Sequence, residues 1–334
     1  MLIAGDIGGT KTDLAIYSAE SGPHEPIAQM EVHSADYPSL YALVEDFLTQ
    51  AGISVEVASF AVPGPVIAGH VKTTNLPWVM DESSLASQLQ LDAVHLMNDL
   101  EAAALAVPIV RDADLVTINE GKVVQNGPIA IIAPGTGLGE SFLTWNGTRY
   151  VAHSSEGGHS DFAPTDKRQI RLLEYLLSRL DHVGVERVCS GIGVPNIYEF
   201  LRDEEKIPER PEIAQLIASA QDHTKAILDA AAHPDGACEL SRATVDMLVS
   251  ILAAEAGNLA LKVLATGGVY LAGGVALHLL NALRDPRFME GFTNKGRFKE
   301  LMSSIPIHII TTRAALLGAA NSGLAMLEAV RSNI

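Results

Sequence analysis

The residues best placed to handle an anion lie in a glycine turn at the start of the chain, Asp6-Ile7-Gly8-Gly9-Thr10, which follows the apolar run Leu2–Ile7. Two adjacent glycines let the backbone approach a phosphate closely, and successive N–H groups in such a turn form an anion nest. Thr10 adds a hydroxyl donor, and Asp6 is placed to hold a magnesium ion through water. No loop ending in Gly-Lys-Ser or Gly-Lys-Thr occurs, and a strand rather than a helix is expected next, so this is not a P-loop. Alone, it reads better as a glycine hairpin.

A second turn changes that reading. Gly135-Thr136-Gly137-Leu138-Gly139 follows the apolar run Pro128–Ala133, and a strand is again expected after it, which argues against a dinucleotide-binding turn. Two such turns can hold one triphosphate between them. Asn98-Asp99 ends a buried run and opens a helix. The pair reads equally as an N-cap and as a carboxylate at a strand's carboxyl end, ready to accept a proton from an attacking hydroxyl. Glu156-Gly157-Gly158-His159 sets a carboxylate and an imidazole three apart. Without further His or Cys at metal spacing, the pair suits sugar hydroxyls better than zinc. Glu186-Arg187 alone reads as a surface helix. Gly273-Gly274, at the end of Val269–Leu271, fits either close approach to a nucleotide's ribose or base or a packed strand-to-helix turn.

The elements that must position these residues repeat. Strands are expected at Leu2–Ile7, Asp13–Tyr17 and Ile27–His33, a helix from Leu40 to near Gly52, a strand at Val57–Val62, a Pro63-Gly64-Pro65 turn and a strand near Val71. A helix Glu82–Leu89, a strand Val94–Met97 and a helix Asp99–Val107 stopped by Pro108 follow. In the second half come strands at Pro128–Ala133, Ser141–Trp145 and Tyr150–His153, helices at Lys167–Arg179 and Thr244–Leu264, a strand Val269–Leu271, a helix Ala276–Leu283, a strand Ile305–Ile310 and a last helix from Ala314. Two βββαβα units predict an α/β fold of two facing lobes with an interdomain cleft. The small domain is expected at 1–108 plus 312–334 and the large one at 109–311. Asp203–Pro211 is expected to be an exposed loop.

Composition narrows the function. A net charge of −17 over 334 residues repels nucleic acid and anionic membranes. An acidic chain that binds ATP needs a divalent cation and backbone N–H groups to supply positive charge. Cys189 and Cys238 form no C-x-x-C pair, which fits a reduced, cytoplasmic protein. Met1 leads straight into Leu2-Ile3-Ala4, so no signal peptide is expected, and the weakly charged stretch Ala265–Leu283 is too broken by glycines to span a membrane.

Taken in order, Asp6–Thr10, Asn98-Asp99, Ala133–Gly139, Glu156–His159, Glu186-Arg187 and Ala272-Gly273-Gly274 resemble the bacterial-type glucokinases, of the actin-like ATPase (ribonuclease H-like) fold shared with hexokinases. The resemblance runs through nearly the whole chain. It implies phosphorylation of the 6-hydroxyl of D-glucose by ATP and Mg2+, feeding glycolysis, in a cytoplasmic homodimer. It makes Asp99 the general base and gives Asn98, Glu156, His159 and Glu186 the sugar hydroxyls, with the Gly137 N–H and Asn75 also at the sugar. The ATP phosphates fall to Asp6, Gly8, Gly9, Thr10, Lys11, Gly135 and Thr136, and the adenosine to Gly273 and Gly274. Lys11 stands where some members show asparagine and Ile192 where proline is common. The wider ROK sugar kinases usually add a cysteine-rich zinc site, which these two cysteines cannot build, and ROK repressors carry a DNA-binding segment ahead of the first strand. Both differences favour the glucokinase branch. The alternatives are a kinase for mannose, fructose or an N-acetylhexosamine, or a non-catalytic sugar sensor.

Overall fold

The computed structural model describes residues 1–73, 76–232 and 238–332. Contacts divide the chain into two units, Met1–Asp114 with Asn146–Ser154 and Thr312–Ile334, and Leu115–Trp145 with Ser155–Thr311. The first is built from strands β1 (Leu2–Ile7), β2 (Lys11–Tyr17), β3 (Ala28–His33), β4 (Val57–Val62), β5 (His70–Lys72), β6 (Val79–Asp81) and β7 (Ala93–Asn98). Five of them form a sheet in the order β3-β2-β1-β4-β7, and β5 and β6 form a separate ribbon. β1 runs antiparallel to β2 and parallel to β4, which is in turn parallel to β7.

Burial along these strands follows from their neighbours. All six residues of β4 are buried, as expected for a central strand covered on both faces. On β1, Ile3 and Ile7 enter a core with Leu40, Leu43, Val44 and Phe47, whereas Leu2 and Ala4 enter one with Leu316, Ala319, Ala320 and Leu327. The period-2 alternation of a strand thus feeds two helix layers. The first layer includes the helix Leu40–Ala51, capped by Ser39 Oγ, which accepts from the Ala42 N–H at 3.2 Å, and stopped by Gly52 at φ 63°. The second includes the last helix, Ala314–Ser332.

The second unit repeats this order. The second sheet holds β8 (Leu115–Asn119), β9 (Ile129–Pro134), β10 (Leu138–Trp145), β11 (Tyr150–Ser155), β12 (Gly268–Leu271) and β13 (Ile307–Ile310), arranged β11-β10-β9-β12-β13-β8, and all but β11 lie within the second unit. The first five match the first unit's sheet position for position, and β8 is an added edge strand antiparallel to β13. Behind the sheet lies the helix Glu239–Val263, which is long and apolar enough to cross a membrane but has 78% of its apolar window buried inside the protein.

Three expectations change. The strand expected from Ser141 begins at Leu138, so Glu140 is a strand residue. The helix expected at Ala276–Leu283 is two short ones, Gly274–His278 and Leu280–Leu283, parted at Leu279. Helices Gly193–Asp203, Pro211–Ser219 and His223–Ala232 occupy a stretch read mainly as connection, leaving only the residues between Asp203 and Pro211 as the expected loop.

Candidate functional site

In the first unit, β1 and β2 are joined by Gly8-Gly9-Thr10. The Gly8 N–H donates to Lys11 O at 2.9 Å and closes the turn. A residue that the sequence did not flag fastens it from outside: Ser34, fully buried, donates from Oγ to Gly8 O at 2.7 Å and from its N–H to Thr10 O at 3.0 Å. Asp6 lies opposite Asp13 in the β1–β2 register. Burial, then the charges of Asp99 and Asp13, push the Asp6 carboxyl up to about 7, with Arg313 opposing. Among the described residues no three metal-ligating side chains are gathered together, so Asp6 would meet a magnesium ion through water, with phosphate oxygens completing its shell.

Asn98 and Asp99 stand where β7 becomes the helix Asp99–Ala106. Both readings of the pair apply, to different residues. Asn98 is the N-cap, its Oδ1 accepting from the Leu100 N–H at 2.9 Å and the Glu101 N–H at 3.4 Å, while its Nδ2 donates to Gly64 O at 3.1 Å. Asp99 is the first helical residue, half-buried, with Oδ1 accepting from the Leu100 N–H at 2.9 Å. Its closeness to Asp6 brings the predicted base and the first phosphate turn together. Lys11 is exposed and its Nζ lies 2.6 Å from Glu31, which also holds Arg313 at 2.8 Å. Lys11 thus stands in an exposed charge cluster with Glu31 and Arg313.

In the second unit, four predicted sugar residues gather around Leu138. The Leu138 N–H donates to Glu186 Oε2 at 3.1 Å, and a Cβ on Gly137 would fall 2.3 Å from the same oxygen. Glu186 belongs to a 3-10 turn, Val185–Arg187, and not to a surface helix. A second 3-10 turn, Gly157–His159, packs Gly158 on the Leu138 carbonyl, and the Val185 N–H donates to Ser160 O at 2.9 Å. Glu156 and His159 are exposed at its rim, with Oε2 and Nε2 3.9 Å apart. The spacing that the turn imposes leaves both groups directed at solvent, where hydroxyls can reach them.

The predicted nucleotide residues of this unit also converge. The Gly191 N–H donates to Gly135 O at 2.8 Å and the Ile192 N–H to Thr136 O at 3.1 Å. Proline at 192 could not make that second bond, so isoleucine ties the two loops more firmly. Gly273 has φ 88°, and a Cβ there would lie 2.7 Å from Pro134 O, so only glycine fits against the end of β9 at this position. Asn75 lies outside the described residues.

A family profile described as Glucokinase matches residues 3–326. The chain belongs to the glucokinase family. Among its relatives, a glucokinase from Nostoc punctiforme is 40% identical over 333 residues, covering 96% of this chain and 98% of that one. A crystal structure of glucokinase from an Antarctic psychrotroph superposes with a TM-score of 0.81 at 29% identity, covering 96% of this chain and 98% of the other. A ROK family glucokinase from Streptomyces griseus, crystallised with glucose and AMPPNP, shares the fold at a TM-score of 0.63 and 18% identity, over 96% and 98% of the two chains. The duplicated sheet is therefore the actin-like ATPase fold of these kinases.

Proposed function

We propose that this glucokinase-family chain transfers the γ-phosphoryl group of ATP to the 6-hydroxyl of D-glucose. The observation that carries the reading is the cluster around Leu138, where Gly137, Glu186 and the Glu156–His159 turn form a hydroxyl-reading set directly beside the Gly135–Gly137 phosphate turn. The family membership supports it independently.

Each group then has a task. Glu156, His159 and Glu186 offer acceptors and donors to the sugar's ring hydroxyls, and the Gly137 N–H adds another. Asn98 spends one amide hydrogen on Gly64 and offers its second to the sugar. Asp99, oriented by the Leu100 N–H, takes the proton from the 6-hydroxyl as its oxygen attacks phosphorus and the bond to the ADP leaving group breaks. Base help of this kind is typically worth about 10²–10⁴-fold. Each glycine turn offers N–H groups to phosphate oxygens, and Gly273-Gly274 offers close backbone approach to the adenosine. Asp6 would hold magnesium through water, and the ion would neutralise phosphate charge that this acidic protein otherwise repels. Homodimer formation, a cytoplasmic setting consistent with two buried free cysteines, and entry of the product into glycolysis belong to the same reading.

One coupled assay crossing glucose, mannose, fructose and N-acetylglucosamine with ATP, ADP and polyphosphate tests it. Glucose with ATP should give the highest kcat/KM. Preference for another hexose would move the specificity, and failure of every sugar to stimulate ATP consumption would point to a sensor. Asp99→Asn should keep glucose affinity within about threefold and lose at least about 10²-fold in kcat.

A further inference from the structure

Beneath the Glu156–His159 turn lies a pair of carboxyls that the phosphoryl-transfer reaction does not use. Glu140, on β10 opposite Ile132, is 1% exposed, and Glu255, on the helix Glu239–Val263, is 4% exposed. The Glu255 charge acts on Glu140. Glu255 Oε2 accepts from Asn258 Nδ2 at 2.9 Å, and Lys262 Nζ stands 3.6 Å from Glu255 Oε1. Lys295 faces the same pocket, donating to Asn258 Oδ1 at 2.6 Å and to Ala254 O at 2.9 Å. Yet Glu140 Oε1 and Glu255 Oε1 are buried with no hydrogen-bond partner. A buried carboxylate oxygen without a donor is costly, so burial favours the neutral form of Glu140.

The pair is also in contact with the turn. A Cβ on Gly157 would lie 2.0 Å from Glu140 Oε2 and 2.8 Å from its Cδ, so the carboxyl occupies the space a side chain there would need. Gly157 opens the 3-10 turn that carries His159 and follows Glu156 directly. Glu140 therefore has the turn's backbone on one side and Glu255 on the other.

We propose that Glu140 is a positioning residue for the sugar: buried and neutral, it forms the floor on which Gly157 rests and keeps Glu156 and His159 in their sugar-binding places. The proposal rests on the reading of that turn as a sugar site. When Glu140 loses its proton, the Glu255 charge repels its carboxylate toward the turn, where a Cβ on Gly157 would already lie 2.0 Å from Oε2. Burial and the Glu255 charge push the Glu140 carboxyl up to about 7, with Lys262 opposing. Cys189 also borders the pair, and burial, then Glu255 and Glu140, push its thiol far above the ordinary range, so it stays neutral and supplies no charge. Sugar affinity is thus highest below pH 7 and lost as pH rises through it.

Glucose titration calorimetry on the full chain, from pH 6.0 to 8.5, tests this alongside steady-state kinetics. If binding requires the proton of a group with a pKa near 7, the glucose dissociation constant rises about eightfold between pH 6.5 and 8.0. KM follows it, while kcat at saturating glucose does not show that step. Glu140→Gln, which keeps the shape and cannot ionise, should abolish the rise. Glu255→Gln should move the rise to lower pH, because it removes the charge that opposes ionisation of Glu140 while leaving its burial; an unmoved rise counts against the pairing. A wild-type protein without the rise, or a Glu140→Gln protein that keeps it, overturns the proposal. Thermal unfolding confirms that each variant is folded. Glu156→Ala separates the two levels of inference: it should weaken glucose binding at least about tenfold at every pH. If it binds as the wild type does, the turn is not the sugar site and the proposal falls with that reading.

Discussion

Gly137→Ala is the sharpest probe of the proposed sugar site, because the new methyl group meets the working end of another side chain. Gly137 has an ordinary negative-φ backbone, so alanine is tolerated locally. Its Cβ, however, would lie 2.3 Å from Glu186 Oε2. Ordinary carbon–oxygen contact needs roughly 1 Å more, and moving the carboxylate by that amount breaks the 3.1 Å bond from the Leu138 N–H. Glu186 is only half-buried and flexible at its end, so the fold loses about 1 kcal/mol or less. The sugar loses one charge-assisted hydrogen bond, worth about 1.5–3 kcal/mol, or roughly 10–150-fold in affinity. We expect the glucose KM to rise in that range while the ATP KM stays within about twofold, in a coupled assay varying each substrate separately. A glucose KM within about twofold of wild type, in a folded protein, would refute the placement of Glu186 at the sugar.

Other perturbations read the remaining parts. Asp6 has its folded pKa raised from 3.8 to about 7, so stability present below the unfolded value is lost as pH rises through 7. Asp6→Asn should therefore raise Tm in chelator-containing buffer, little at pH 4 and most above pH 7, while weakening magnesium dependence of turnover. A pH-independent Tm difference would remove the like-charge explanation. Gly273→Ala forces a side chain into φ 88° and against Pro134 O, and should raise the ATP KM with little change in glucose binding measured by calorimetry. Asn98→Ala removes the N-cap, should cost about 1 kcal/mol in denaturant unfolding, and should lower kcat because the helix start orients Asp99.

Where local chemistry decides structure, the sequence was readable. β1, β4 and the helix Glu82–Leu89 fall on their expected residues, and Gly52 closes its helix as its left-handed conformation requires. The repeat emerged from strand and turn signals alone, since each glycine turn follows an apolar run and precedes another strand. The structure brings the candidate residues together in groups that reading had assembled only from chain order. What escaped it depends on distant partners. Ser34 is an unremarked serine until the chain folds it under Gly8 and Thr10. Glu140 beside a glycine turn looks solvated, and only Glu255, more than a hundred positions later, shows that it is buried. The one visible signal was a lone carboxylate in the apolar run Ala253-Ala254-Glu255-Ala256. Helices after Gly193 were lost because their starts carry no strong cap: neither Gly193–Asp203 nor Pro211–Ser219 has a side-chain N-cap bond, and Pro211–Ser219 buries none of its residues fully.

The first unit takes its β1 core from both distant parts of the sequence: Leu2 and Ala4 are covered by Leu316, Ala319, Ala320 and Leu327, and Arg313 pairs with Asp13 and Glu31. During synthesis, then, β1 waits with one face open until the final helix emerges from the ribosome. Most of the second unit is by that time already outside and free to fold. The growing chain should acquire protease resistance in two stages, with residues 155–311 protected first and the start of the chain only once residues 314–332 have emerged to cover it, so that Asp6 becomes ordered late.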